Sequence, residues 1–297
     1  MNFGVWIKAY RIRTLPLALS STIMGSFLAY AHGKFLWAVF ILTASTTLFL
    51  QVLSNLANDY GDSVHGVDNK NRVGPGRVVQ SGLVTRRQML LMITVFILLA
   101  LISGTWLILI SLDKTSVILV FFMLGFAAII AAIKYTVGKR PYGYVGLGDI
   151  FVFLFFGIVG VAGTYYLHTH SFDPWVLLPA STIGLLSSGV LNLNNMRDIV
   201  NDTAEGKRTL VVRIGTKNAK TYHVTLISLS IILSIIYTLR YFHSVYQLIY
   251  IFTFPLFILN LRVVLQSTEP IELNVELKKL ALSTFAFSIT FGLGLVL

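Results

Sequence analysis

Nine apolar stretches divide the chain, and each is long enough to cross a membrane as a helix. A bilayer core about 30 Å thick needs about 20 apolar residues in helical form, and each stretch comes near that length before polar residues interrupt it. The predicted spans lie near residues 15–32, 35–57, 88–110, 115–135, 147–168, 174–193, 222–241, 245–266 and 278–297. The pattern therefore predicts an all-α polytopic membrane protein, a bundle of nine transmembrane helices.

Composition agrees with this pattern and removes one class of chemistry. Hydrophobic residues make up 56% of the chain and charged residues 12%, with a mean hydropathy of +0.79, whereas about a quarter of the residues in soluble domains are charged. There is no cysteine, so disulfides, thiolate metal ligands and a cysteine nucleophile are excluded. We expect one integral membrane domain over residues 1–297. Its first span is expected to be retained, because no small-residue cleavage site follows it.

Lysine and arginine divide unequally between the two sides of the nine-span arrangement. Of 23 such residues, all but Lys34, Lys114 and Arg240 lie on the side of the N-terminus. Positive loops stay in the cytoplasm, so the N-terminus and the long loops near 58–87 and 194–221 are predicted to be cytoplasmic, in a multi-pass protein of the cell inner membrane. The net charge of +11 mostly reflects this topology, with some left for anionic ligands or lipid. No nucleic-acid partner is expected.

Both long loops are preceded by a cluster of acidic and amide residues. The first cluster holds Asn55, Asn58, Asp59, Asp62 and Asp68, and the second holds Asn194, Asn195, Asp198, Asn201 and Asp202. Asp59 and Asp198 are 139 residues apart, and Asp62 and Asp202 are 140 apart. Each cluster thus occupies an equivalent place in one of two pseudo-equivalent halves, which favours two carboxylate sets that face one another.

The spacing inside each cluster favours a divalent cation. Residues four apart share a helix face, which pairs Asp198 with Asp202 and Asn58 with Asp62. Unpaired carboxylates at a bilayer boundary would repel and lose hydration. Mg²⁺ resolves this, because it takes one or two carboxylates together with waters and phosphate oxygens. A single loop acid could simply be solvated, but the two matched clusters indicate a metal site.

Basic residues follow each cluster. Arg72 and Arg77 follow the first, and Lys207 and Arg208 follow the second. Arginine offers phosphate a bidentate fork and lysine a mobile charge, so carboxylates, metal and cations together describe a diphosphate site. The alternative for the arginines is an ordinary turn at residues 74–76 with solvated flanks.

These motifs resemble those of the UbiA-type intramembrane prenyltransferases over essentially the whole chain. Three segments are most similar to the branch that acts on 1,4-dihydroxy-2-naphthoate in menaquinone biosynthesis: residues 55–82, 135–149 and 198–209. The resemblance implies that a polyprenyl group passes from its diphosphate to that aromatic acceptor, with loss of CO₂ and diphosphate, giving demethylmenaquinol. It implies Mg²⁺ held by Asn58, Asp59, Asp62, Asp68, Asp198 and Asp202. Asp68 departs from the general pattern, since it stands six residues beyond Asp62 instead of four.

The segment of residues 135–149 is expected at the same face. Tyr135 and Lys139 join the four motif aspartates (Asp59, Asp62, Asp198 and Asp202) as catalytic candidates, since Tyr135 could cover an allylic cation. Lys139 and Arg140 could hold diphosphate, or could only mark the cytoplasmic side. Tyr142 and Tyr144 could be interfacial aromatics, whereas Asp149, entering a span, favours a functional role. No chemistry is assigned to the connection between residues 269 and 279.

Two alternatives remain open at this stage. One is the same fold with another acceptor, such as 4-hydroxybenzoate or haem, because spacing does not identify a ring. The other is a cation-coupled transporter, which also uses membrane carboxylates and repeated halves, although transporter carboxylates usually lie near the bilayer midplane. Prenyl chain length and oligomeric state are not readable from the sequence.

Overall fold

A computed structural model describes residues 3–66 and 76–297. Within these ranges all regular structure is helical, and nine helices are long and apolar enough to cross a membrane. They are α1 (Phe3–Ala31), α2 (Trp37–His65), α3 (Arg86–Ser111), α4 (Thr115–Lys134), α5 (Gly148–Thr169), α6 (Pro174–Ala204), α7 (Leu210–Arg240), α8 (Val245–Gln266) and α9 (Glu272–Val296). The predicted all-α fold and the predicted number of spans are confirmed for the described part of the chain.

Several helices are longer than the apolar stretches that predicted them. α2 continues to His65 and α6 to Ala204, each carrying its acidic cluster in helical form, whereas the predicted spans end near 57 and 193. Hydropathy falls where these clusters begin, but many of the polar side chains there are buried within the bundle, so the helices continue. We call the end of the bundle that contains Asp62 of α2 and Asp202 of α6 the motif end.

α6 lies at the centre of the bundle and α4 at its edge. α6 packs against α5, α7 and α9, and α1 packs along α9. α4 packs mainly against α2 and α3, and it is the least buried of the nine helices. One side of the bundle is therefore several helices deep, whereas the side that carries α4 is thin.

α5 approaches α6 closely through glycine and is π-helical over Phe153–Gly163. A Cβ on Gly157 would lie 2.7 Å from the carbonyl oxygen of Ala180, and one on Gly184 would lie 2.8 Å from that of Phe153. The two helices can meet at this distance only without side chains at both positions. Ser21 Oγ of α1 donates to the carbonyl oxygen of Phe156 at 2.6 Å, which satisfies a backbone group inside the widened turn.

Candidate active site

A cavity of about 430 Å³ extends from the motif end into the bundle. Asp62 and Thr43, both on α2, line it. They are 19 residues apart, or about 29 Å at the rise of an α-helix. Polar residues surround the motif end of the cavity, and most of its length has apolar walls, which include Leu107, Ile108, Phe121, Leu124, Phe151, Phe155, Phe156 and Leu167. A polar mouth on an apolar channel suits a ligand with a charged head and a hydrocarbon tail.

Asp62 is the most heavily engaged carboxylate at this mouth. Its oxygens accept hydrogen bonds from Arg77 Nη2, from Tyr144 OH at 2.6 Å and from Lys207 Nζ at 3.0 Å. The three donors come from three separate parts of the chain. Asp62 is buried, and Arg77 is only 6% exposed, so this is a desolvated charge cluster in which paired hydrogen bonds offset the cost of burial.

Asp59 has a different role in the structure. Its two carboxylate oxygens accept the backbone N–H groups of Val78 at 3.1 Å and Val79 at 3.3 Å. It does not line the described cavity. Asp59 thus fastens the segment that carries Arg77, and so places the guanidinium of that arginine beside Asp62.

The second cluster approaches the first through Lys207. Asp198 and Asp202 of α6 line the cavity, and Lys207 Nζ lies 3.8 Å from Asp202 as well as 3.0 Å from Asp62. The same ammonium stands 4.5 Å from the ring centroid of Tyr144, a cation–π distance. One lysine therefore joins the two carboxylate sets at one mouth.

Asp198 is held by the residue before it. Arg197 Nε and Nη2 donate to the two carboxylate oxygens of Asp198 at 2.7 and 2.6 Å. Nη2 also donates to Asn194 at 2.8 Å, and Nη1 donates to Asn274 of α9 at 2.9 Å. Arg197 is 3% exposed, so its charge is directed almost wholly at these partners.

Tyrosines of the segment between α4 and α5 cover the mouth. Tyr135, Tyr142 and Tyr144 all line the cavity. A Cβ on Gly143 would lie 2.6 Å from the carbonyl oxygen of Tyr135, so the turn can fold onto Tyr135 only with glycine there. Burial raises the pKa of Tyr135 well above its ordinary value, and also raises that of Tyr142. Both are therefore neutral phenols at physiological pH, able to donate hydrogen bonds and present ring faces.

The remaining predicted site residues lie in varied places. Asn58 lines the cavity, and its Oδ1 accepts from Thr136 Oγ1 at 3.2 Å. Lys139, Arg140 and Arg208 are exposed, and the described lining does not include them. Asp149 is buried behind the cavity, where Tyr222 OH donates to it at 3.4 Å. Asp68 and Arg72 lie outside the described residues.

Sequence reasoning gave no role to several residues that the structure brings to the mouth. In the sequence, Arg197 is only one of the positive charges predicted for the cytoplasmic side. Tyr144 is a candidate interfacial aromatic. Arg11 also lines the cavity, at a break in α1 where its backbone is left-handed, with φ 50°. The position of Arg197 inside the second acidic cluster was an available signal, whereas nothing in the spacing places Tyr144 against Asp62.

The donor set at the mouth fits Mg²⁺ bound together with phosphate. Within the described residues, no three acidic or histidine side chains gather closely enough to form a complete metal cage. Mg²⁺ does not need one, because it is usually held by one or two carboxylates, with water and substrate phosphate completing the shell. Asp62, Asp198 and Asp202 supply carboxylates and Asn58 an amide oxygen around the same space.

Comparisons with known proteins agree with this geometry. The model of the UbiA prenyltransferase family matches residues 18–287. A relative from Escherichia coli (strain K12), named 1,4-dihydroxy-2-naphthoate octaprenyltransferase, is 40% identical over 98% of this chain and 95% of its own. Among solved structures, a UbiA homolog from Aeropyrum pernix K1 superimposes with a TM-score of 0.67 at 18% identity, covering 96% of both chains.

A second solved structure is similar over an equal extent. It is a UbiA homolog from Archaeoglobus fulgidus bound to GPP and Mg²⁺, with a TM-score of 0.63 at 15% identity, covering 97% of this chain and 99% of that one. At such low identity these structures show the shared fold, whereas the family model and the Escherichia coli relative match the sequence itself. The chain therefore belongs to the UbiA prenyltransferase family.

Proposed function

We propose that this protein transfers a polyprenyl group from polyprenyl diphosphate to 1,4-dihydroxy-2-naphthoate in a Mg²⁺-dependent reaction. The observation that carries the proposal is one cavity, about 29 Å from Asp62 to Thr43, that joins residues of both carboxylate clusters to an apolar channel. The relative that is 40% identical is named for this reaction, and a fold neighbour was solved with GPP and Mg²⁺. Charged head and long tail thus each have a matching part of the cavity.

The carboxylates of Asp62, Asp198 and Asp202 would hold Mg²⁺, with Asn58 as a neutral oxygen donor. When bound, the metal supplies positive charge that stabilises the departing diphosphate. In the described structure Arg77 and Lys207 neutralise Asp62. We expect both side chains to contact the diphosphate when it binds, because their charges already lie at the cavity wall and arginine and lysine are common phosphate ligands.

The reaction breaks the allylic C–O bond, and its electron pair leaves with the diphosphate. The ring carbon that carries the carboxylate of the acceptor attacks the allylic carbon. The bond to that carboxylate then breaks, CO₂ departs, and the electron pair restores the aromatic ring. The neutral ring of Tyr135 lines the same cavity, and a cation–π interaction with the developing positive charge would contribute about 0.5–2 kcal/mol.

The apolar residues at the far end of the cavity support transfer over transport. Leu107, Ile108 and Leu167 belong both to the lining and to an apolar cluster with Val39 and Leu112 at the opposite end of the bundle. Apolar walls exclude water from a reactive cation, whereas an ion pathway needs polar partners along its length. With the motif end in the cytoplasm, as the lysine and arginine distribution favours, both substrates would reach the mouth from the cytoplasmic leaflet of the inner membrane.

A transfer assay tests the proposal. Purified protein in detergent or lipid receives octaprenyl diphosphate, radiolabelled 1,4-dihydroxy-2-naphthoate and Mg²⁺, and a parallel sample receives EDTA. We expect a lipid-soluble labelled product that requires the metal. Prenylation of 4-hydroxybenzoate in its place would contradict the proposed acceptor. Failure of the folded protein to prenylate either ring would contradict the proposed prenyl transfer itself.

A further inference from the structure

The first turns of α9 contact the second acidic cluster, although the sequence assigned no chemistry to this stretch. Asn274 accepts a hydrogen bond from Arg197 at 2.9 Å, and Leu277, one turn later, lines the cavity. α9 thus contributes both to the cavity wall and to the support of an acidic side chain at its mouth.

The pairing of Arg197 with Asp198 is unusual for a helix. Adjacent residues on an α-helix point about 100° apart and do not normally meet. Here the guanidinium nevertheless reaches both oxygens of the next carboxylate. The remaining donors of the guanidinium are held by the side-chain oxygens of Asn194 and Asn274, which fix the guanidinium in this unusual orientation.

The position of Asn274 is itself fixed by a buried polar chain. Asn260 of α8 donates to Glu276 of α9 at 2.8 Å, and the ring of His223 of α7 lies 3.0 Å from Asn260. Lys279 donates to the second carboxylate oxygen of Glu276 at 2.7 Å. Glu276 and Asn260 are both buried, so the start of α9 is held against α7 and α8.

We propose that Arg197 and Asn274 are positioning residues that set the orientation of the Asp198 carboxylate, and that the start of α9 thereby belongs to the reaction site. The inference rests on the proposed function, in which Asp198 holds Mg²⁺. A carboxylate offers about four lone-pair positions. The arginine fork takes one on each oxygen, and this bidentate contact fixes the plane in which the Asp198 carboxylate lies.

The test measures metal binding instead of turnover. Mn²⁺ is titrated into purified protein with a saturating, unreactive thio-analogue of geranyl diphosphate, and free Mn²⁺ is read by electron paramagnetic resonance. Partners of metal ligands typically contribute about 10–100-fold to metal affinity, so we expect Asn274→Ala to weaken Mn²⁺ about 10-fold. The matched control is Asn218→Ala, since Asn218 is an exposed asparagine that bonds only the carbonyl oxygen of Ile214 among the described contacts.

A second variant keeps the inference testable if Asn274→Ala does not fold. Arg197→Lys retains the charge but loses the bidentate fork, and we expect it to weaken Mn²⁺ by 10-fold or more while thermal unfolding without metal stays close to that of the parent protein. Parent-like Mn²⁺ affinity in both folded variants would overturn the inference alone. If the unsubstituted protein binds Mn²⁺ no better with the analogue than without it, the metal assignment in the proposed function fails as well.

Discussion

The two acidic clusters match in spacing but differ in how their carboxylates are supported. Asp62 is held by Arg77, Tyr144 and Lys207, which lie 15, 82 and 145 residues away. Asp198 is held by its immediate neighbour Arg197, and Arg197 in turn donates a hydrogen bond to Asn274 of α9. The first cluster therefore depends on loops that close over it, and the second depends on helix packing. Equivalent carboxylates in the two halves can thus respond differently to the same substitution.

The largest expected effect is loss of a cavity carboxylate. Asp62→Asn removes the charge that binds cations at the mouth, and we expect activity to fall on the order of 100-fold or more, as for loss of an electrostatic group at a reaction site. Transfer assays on folded, detergent-purified protein measure it. Asp113→Asn, at the opposite end of the bundle, is the control. Activity within twofold of the parent protein would remove Asp62 from the site.

A smaller loss is expected when the link between the clusters is removed. Lys207→Gln deletes the ammonium that contacts both Asp62 and Asp202. Hydrogen bonds to charged groups contribute about 1.5–3 kcal/mol, which corresponds to a rise in KM for the prenyl diphosphate of about 10- to 150-fold. Steady-state kinetics with the acceptor saturating measure this constant. An unchanged KM would mean that Lys207 pairs with Asp62 and Asp202 but does not contact the bound diphosphate.

Asp59→Asn tests whether the first cluster relies on its loop. The substituted amide keeps one acceptor oxygen for the two N–H groups of Val78 and Val79, so we expect faster amide hydrogen exchange in that segment and an activity loss of about 10-fold. In the second cluster the carboxylate of Asp198 is held by the side chain of Arg197 and not by backbone N–H groups. Amide hydrogen exchange in α6 should therefore stay unchanged. Equal acceleration in both places would contradict the difference between the clusters.

The smallest effect is expected at the exposed lysine of the segment between α4 and α5. Lys139→Gln removes a charge that lies outside the described cavity lining, and surface charges contribute about 0–1 kcal/mol, so KM should rise less than fivefold. Side-by-side kinetics with Lys207→Gln rank the two lysines. A larger loss at Lys139 would show that this segment closes over bound diphosphate.

The fold was largely predictable because apolar length is a direct physical requirement of the bilayer. Nine runs of apolar residues gave nine helices within the described ranges. The ends of α2 and α6 were not predictable from hydropathy, because many of their polar side chains are buried within the bundle while the helix continues. The π-helical part of α5 lies where that helix packs closely against α6 and α1, and hydropathy does not encode such contacts between distant segments.

Several residues of the candidate site were predicted from the sequence, but the contacts that join them were not. Asp62, Asp198, Asp202, Arg77 and Lys207 all line the cavity, as expected of a shared site. The pairing of Tyr144 with Asp62 spans 82 residues and depends on the turn at Gly143, which spacing does not encode. The separate role of Asp59 arises from the path of the following loop, which places two backbone N–H groups within its reach.

The thin wall formed by α4 has a consequence for how the substrate is supplied. One face of α4 carries Leu124 and Ala128 to the cavity, while its opposite face exposes Met123 and Ile130 to the hydrocarbon of the bilayer. A prenyl tail that entered the cavity past α4 would exchange one apolar environment for another, so the cost of about 0.8 kcal/mol per CH₂ for entering water would not arise. Capture of the donor by this route would be a partition between two apolar environments. Its saturation should follow the mole fraction of donor in the lipid and not its concentration in the aqueous volume.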